Sequence, residues 1–206
     1  MTTGYGAERA GFQTAQQHRP DVIVAATGAA DVRAAVEFAA VRGLPVAVQG
    51  AGHALLSVAA EGGVLIATRR MSGVRMDVDA RTAWLEAGVR WEQVIHEAAP
   101  YGLAPLSGSA PAVGAVSYTL GGGLGLLARR YGYATDYVGS IDVVTADYST
   151  CMIYIRRIIE QKVFMSSLRL KGTKIATRGL KPRSHHPTGV KSISLSMRSA
   201  ICRANL

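Results

Sequence analysis

Residues 21–53 read DVIVAATGAADVRAAVEFAAVRGLPVAVQGAGH, and their spacing decides the architecture. Residues 21–25, Asp-Val-Ile-Val-Ala, form a short apolar run, the pattern of a buried strand. Gly28 and Asp31 supply a turn and a helix start, after which Val32, Ala35, Val36 and Ala39 recur at helical spacing. Gly43 closes that helix, as a glycine just past the last turn commonly does. Residues 45–48, Pro-Val-Ala-Val, make the next strand. Strand, helix and strand within about 30 residues form a βαβ unit with parallel pairing.

The chain leaves this second strand through Gln49, Gly50, Ala51, Gly52 and His53, a loop at the carboxyl end of a strand. Glycines on either side of Ala51 permit positive φ and close backbone approach to a ligand. Free N–H groups in such a loop can cradle an anion. It is not a dinucleotide fingerprint, because the third glycine of GxGxxG would fall at Leu55, and it lacks the Gly-Lys-Ser/Thr of a Walker loop. On this pattern alone, a structural turn and a phosphate loop remain equal readings. His53 also has two: a histidine bonded to backbone, or a nucleophile whose neutral imidazole bonds covalently to a cofactor.

Further along, residues 64–67, 82–87 and 141–145 read as strands, and 91–99 as a helix with Val94, Ile95 and Ala98 on one face. Residues 98–128 carry no charge, yet three prolines and seven glycines break them too often for a membrane-spanning helix. Within them lie Ser107, Gly108, Ser109, Ala110, Val113 and Gly114, then Ser117 and the run Gly121, Gly122, Gly123 and Gly125. A solvated linker carries charge and lacks Leu, Val and Tyr at this density. Small, uncharged and apolar sequence suits backbone packed against a large flat ligand.

Composition divides the chain near Asp147. The 206 residues carry a formal charge of +9, but residues 1–147 hold 11 Arg, no Lys and 13 acids. The last 59 residues hold 12 basic side chains and one acid, Glu160. Twenty of the 23 glycines precede residue 148, and both cysteines, Cys151 and Cys202, follow it. Two thiols so far apart make neither a disulfide framework nor a metal cluster. The N-terminus has no basic run leading into an apolar stretch, so a cytoplasmic location is the default expectation. Residues 148–206 show no sustained period; they read as a mostly irregular basic tail, with a helix over 153–168 the one candidate element.

The two glycine-rich loops, in this order and register, resemble the FAD-binding domain of the vanillyl-alcohol oxidase and p-cresol methylhydroxylase (PCMH) type, in its bacterial, berberine-bridge-enzyme-like branch. The resemblance rests on VQGAGH at 48–53, PAVG at 111–114, LGGGLG at 120–125, RYG at 130–132, Asp136 and VVTAD at 143–147. It implies an α+β fold of two subdomains holding extended FAD, with 1–147 as the domain, its core from about 19, and 148–206 as a tail without family match. A truncated gene whose frame or junction changed near Asp147 is the simplest account of that tail.

The resemblance further implies that FAD lies on the backbones of Gln49, Gly50, Ala51, Gly52, His53 and Ala54, and of Ser107, Gly108, Ser109, Ala110, Val113 and Gly114. Ser117, Gly121, Gly122, Gly123, Gly125 and the strand at Val143 complete the pocket. In many such proteins the histidine matching His53 is joined to the 8α carbon of the flavin. Some add a cysteinyl bond from the position before the proline; here that position is Ala110, so one link at most is available. The implied activity is hydride transfer from a small-molecule substrate to FAD, with oxygen as electron acceptor. Tyr118, Tyr131 and Tyr133 are base candidates by residue type alone, and packing is the commoner role for each. Two other readings stay open: a flavin-binding fragment without turnover, and a binder of nucleic acid or anionic surfaces through 148–206, weakened by its lack of interleaved aromatics.

Overall fold

The computed structural model describes residues 3–53, 61–147, 150–154, 192–200 and 202–203, with side chains over 4–53 and 61–147. Helix α1 (Thr3–Arg9) precedes strand β1 (Val22–Ala25), helix α2 (Ala29–Val41) and strand β2 (Val46–Gln49). Asp31 accepts bonds from Thr27 N–H at 2.8 Å and Thr27 Oγ1 at 2.7 Å, which fixes the start of α2. Val32, Ala35, Val36 and Ala39 are its buried residues, as their spacing requires. The helix ends at Gly43, whose φ of +63° lets Leu44 N–H turn back to Ala39 O at 2.9 Å.

Strand β3 (Val64–Ala67) supplies the difference from the simplest βαβ reading. β1 and β2 are parallel, but each pairs with β3, giving the order β1-β3-β2. The central place follows from composition: all four residues of β3 are apolar, and none is more than 2% exposed. Burying Leu65 and Ile66 contributes about 1.5–3 kcal/mol for each side chain.

The second layer is antiparallel. Strands β4 (Val74–Asp77) and β5 (Thr82–Glu86) pair directly, and helix α3 (Trp91–Ala98) and strand β6 (Leu103–Ala104) follow. Helices α4 (Ala115–Leu120) and α5 (Ala128–Tyr131) lead into strand β7 (Val138–Thr145). Strands β8 (Thr150–Tyr154) and β9 (Ser192–Ala200) complete the five-stranded order β4-β5-β9-β7-β8, while β10 (Cys202–Arg203) pairs with β6.

Residues 150–154, 192–200 and 202–203 are therefore strands, where the sequence reading expected irregular chain. Ile193, Leu195 and Met197 alternate with Ser and Arg along β9, a period-2 signal inside the basic segment. Residues 153 and 154 belong to β8; the rest of the candidate helix lies outside the described residues. On α3, Trp91, Val94 and Ala98 are buried, but Ile95 is 39% exposed, so it leaves the expected apolar face.

Two cores result. Leu85, Trp91, Val94, Val116, Ile141 and Val143 close one beneath α3 and α4. Val32, Val36, Val64, Ile66, Met71 and Val144 close the other beneath α2. Successive residues of β7 face opposite sides, so Val143 and Val144 tie the two subdomains through one strand. Among the described residues, no helix is long and apolar enough to cross a membrane.

Candidate functional site

The parallel layer delivers residues 49–53 from the end of β2. Gln49 is buried; its Nε2 donates to Ala10 O at 3.1 Å, and its carbonyl accepts from Thr68 N–H at 2.9 Å. Gly52 has φ of +74°, and a Cβ there would stand 2.5 Å from Gly11 Cα. Only glycine fits that position. Phe12 N–H donates to Ala51 O at 3.1 Å and Gln13 N–H to Gly52 O at 3.1 Å, so residues 10–13 form a strap along the loop.

His53 lies half-buried at the end of this loop, with Nδ1 buried and without a hydrogen-bond partner among the described residues. The Phe12 ring stacks on the imidazole, with centroids 4.1 Å apart and planes 9° apart. Burial, and secondarily the charge of Arg90, push the imidazole below the ordinary histidine value. His53 is thereby biased towards the neutral form, which carries a nucleophilic lone pair.

The second loop is stitched to the start of α3. Trp91 N–H donates to Val113 O at 3.0 Å, Glu92 N–H to Pro111 O at 2.9 Å, and Ala115 N–H to Val89 O at 2.8 Å. Gly114 brings the two loops together: a Cβ there would be 3.5 Å from Ala51 Cβ. Ser117 Oγ donates back to Gly114 O at 3.1 Å. Ser107 and Gly108 are half-buried, whereas Ser109 and Ala110 are exposed at the turn before Pro111.

Tyr118 organises the third loop. Cβ atoms at Gly108, Gly123 and Gly125 would stand 3.1, 2.8 and 3.2 Å from atoms of its side chain, so three glycines pack around one residue. Trp91 meets the ring edge-on, at 5.6 Å and 87°. The Tyr118 hydroxyl is buried without a hydrogen-bond partner among the described residues, and burial pushes its pKa up, so it stays protonated at neutral pH and is a poor proton acceptor. Tyr133 is 51% exposed, and Tyr131 lies beneath the Arg130 guanidinium, 5.6 Å from its ring centre.

The expected residues thus converge in part. Residues 49–53, 107–114 and 121–125 share contacts through Gly114, Ala51 and Tyr118. Val143 is 6% exposed and sits in the core, with Val113 and Tyr118 packed against the same cluster. Ala54 lies outside the described residues. Sequence reasoning missed Phe12 and Arg90, which reach His53 from outside every motif; neither position carries a periodic or spacing signal.

Comparison with known proteins matches the family described as an FAD binding domain to residues 20–150. The chain is 34% identical over 129 residues to (R)-6-hydroxynicotine oxidase of Paenarthrobacter nicotinovorans, covering 62% of this chain and 28% of that protein. The structure of 6-hydroxy-D-nicotine oxidase from Arthrobacter nicotinovorans superposes with a TM-score of 0.76 at 25% identity, over 98% of this chain and 40% of that one. Glucooligosaccharide oxidase from Acremonium strictum, described with a 6-S-cysteinyl, 8α-N1-histidyl FAD, gives a TM-score of 0.69 at 27% identity, over 74% and 33%. The chain therefore spans well under half the length of these relatives. With the match extending over residues 20–150, the chain belongs to the FAD-binding domain family of the vanillyl-alcohol oxidase and PCMH type.

Proposed function

We propose that these residues hold FAD within an oxidase-type flavoprotein, with His53 as its covalent anchor. The observation that carries this reading is the buried Nδ1 of His53, without a hydrogen-bond partner among the described residues, on a glycine-flanked loop. A buried polar atom without a partner costs free energy unless a ligand satisfies it. Tyr118 Oη and Trp91 Nε1, at the core beneath α3 and α4, are likewise buried without a hydrogen-bond partner among the described residues. An unpartnered ring nitrogen at the end of an uncharged, glycine-flanked loop suits the edge of a flat, largely apolar ring system.

In this reading the backbones of residues 49–53 and 107–114 bind the cofactor, and Gly121, Gly122, Gly123 and Gly125 allow close approach. Bound FAD supplies a two-electron acceptor; oxidation of a small-molecule substrate by hydride transfer, with oxygen as final acceptor, is the proposed activity of the larger protein. The protein's own part is binding, exclusion of water by the Trp91 and Tyr118 side, and keeping His53 neutral. Ala110 offers no thiol, so a single link is proposed, in which an imidazole nitrogen of His53 would replace one hydrogen on the flavin's 8α carbon, the two protons and two electrons released passing by way of the flavin to oxygen.

The test is the visible spectrum of acid-precipitated, washed protein after incubation with FAD. Flavin absorbance in the wild-type pellet and its absence from His53→Ala support the reading. Flavin recovered wholly in the supernatant of the wild type refutes the covalent anchor.

A further inference from the structure

The strap at residues 10–13 precedes residue 20, where the family match begins, and the reading above gives it no task. Gln49 Nε2 holds Ala10 O, and backbone bonds at Phe12 and Gln13 fix the register of the strap on the loop. Gly11 and Gly52 face one another so closely that a side chain at Gly52 would collide with the Gly11 backbone. Spacing and register together place the Phe12 ring on the His53 imidazole.

Two features separate this contact from ordinary packing. Phe12 is 62% exposed, so its own burial contributes far less than that of a core phenylalanine. Moreover, a functional imidazole is usually oriented by a hydrogen bond at one ring nitrogen, and His53 Nδ1 has none among the described residues. A ring stack at 4.1 Å and 9° fixes the imidazole plane without occupying that nitrogen, and covers one face from water.

We propose that Phe12 is a positioning residue for His53: the strap holds the imidazole by stacking, in place of a hydrogen bond that would consume Nδ1, and so leaves that nitrogen free to meet the flavin. This rests on His53 being the anchor. Arg90, at the start of α3, is the charged group acting on the same imidazole, and it is untouched by changes at Phe12.

The experiment uses the whole 206-residue chain as wild type, Phe12→Leu and Phe12→Trp. Without cofactor, NMR of the His53 ring protons reads the stack directly. Phe12→Leu should lose the ring-current shift, and its His53 should titrate closer to the ordinary value; Phe12→Trp should retain both wild-type features. With FAD, acid-stable attachment should slow about tenfold in Phe12→Leu, as for a misoriented reacting group, while reversible FAD affinity stays within about twofold, and Phe12→Trp should restore the rate. Unfolding curves check that Phe12→Leu remains folded; if it does not, Phe12→Tyr and Phe12→Trp, which keep a ring, decide the matter: wild-type ring shifts and attachment rate in both support the stack, and their loss in either folded variant overturns it. Unchanged His53 shifts and an unchanged attachment rate on removing the ring overturn the proposal. A wild type that never retains flavin sinks the anchor reading instead, and the cofactor-free NMR comparison still tests the positioning.

Discussion

Tyr118→Phe separates the cost of a buried hydroxyl from its use. The hydroxyl is buried with no hydrogen-bond partner among the described residues. Leaving such a group unsatisfied costs about 1–3 kcal/mol. The ring itself is well held, edge-on to Trp91 at 5.6 Å and enclosed by Gly108, Gly123 and Gly125. Phenylalanine keeps all of those ring contacts. Without FAD, the variant should therefore gain about 1 kcal/mol, raising Tm by about 2–4 °C for a chain of this size. With FAD the sign reverses. If the hydroxyl meets the cofactor, its loss costs about 1 kcal/mol of binding, a Kd about fivefold weaker. Thermal unfolding with and without FAD, together with a flavin-fluorescence titration, reads both effects. A variant destabilised by more than about 1 kcal/mol without FAD would refute the reasoning, since the hydroxyl would then have been contributing to the fold.

Gly52→Ala should cost about 3–4 kcal/mol, combining about 1–2 for a left-handed alanine with about 1 for each of the strap's two backbone bonds. Urea unfolding measures the loss, and faster amide exchange at Phe12 and Gln13 locates it; unchanged exchange there would contradict the account. Leu65→Ala, at the fully buried centre of β3, should cost about 2–5 kcal/mol by the same unfolding assay. The pH dependence follows from His18 and His53, both held below the ordinary value of 6.5 chiefly by burial. A histidine whose folded pKa is depressed contributes fully above its unfolded value and loses that contribution as pH falls through the folded one. Tm should hold from pH 8 to about 7 and decline below about 6.5, and a profile that instead rises on acidification through this range would contradict the burial of these rings.

How much was legible depends on where each signal sits in the chain. The α2 face, Gly43 as helix terminator and the β3 strand are local patterns, and the structure carries them as read. The insertion of β3 between β1 and β2 was not local, because sheet order depends on which strand must be buried on both faces. Ile95 shows the limit of periodicity: it shares helical spacing with Val94 and Ala98, but it stays on the exposed side of α3. In β9, alternation was present, yet the charge of the surrounding segment masked it. At the site, glycine motifs marked the loops, whereas Phe12 and Arg90 meet His53 only through tertiary contacts.

The central claim, a flavin anchored at His53, is most directly tested by mass spectrometry of a tryptic digest after incubation with FAD. Cleavage after Arg42 and Arg69 releases residues 43–69, in which His53 is the single histidine. The account predicts that this peptide carries the flavin mass and fluorescence, with fragment ions placing it on His53. An unmodified 43–69 peptide from protein that had bound FAD would contradict it.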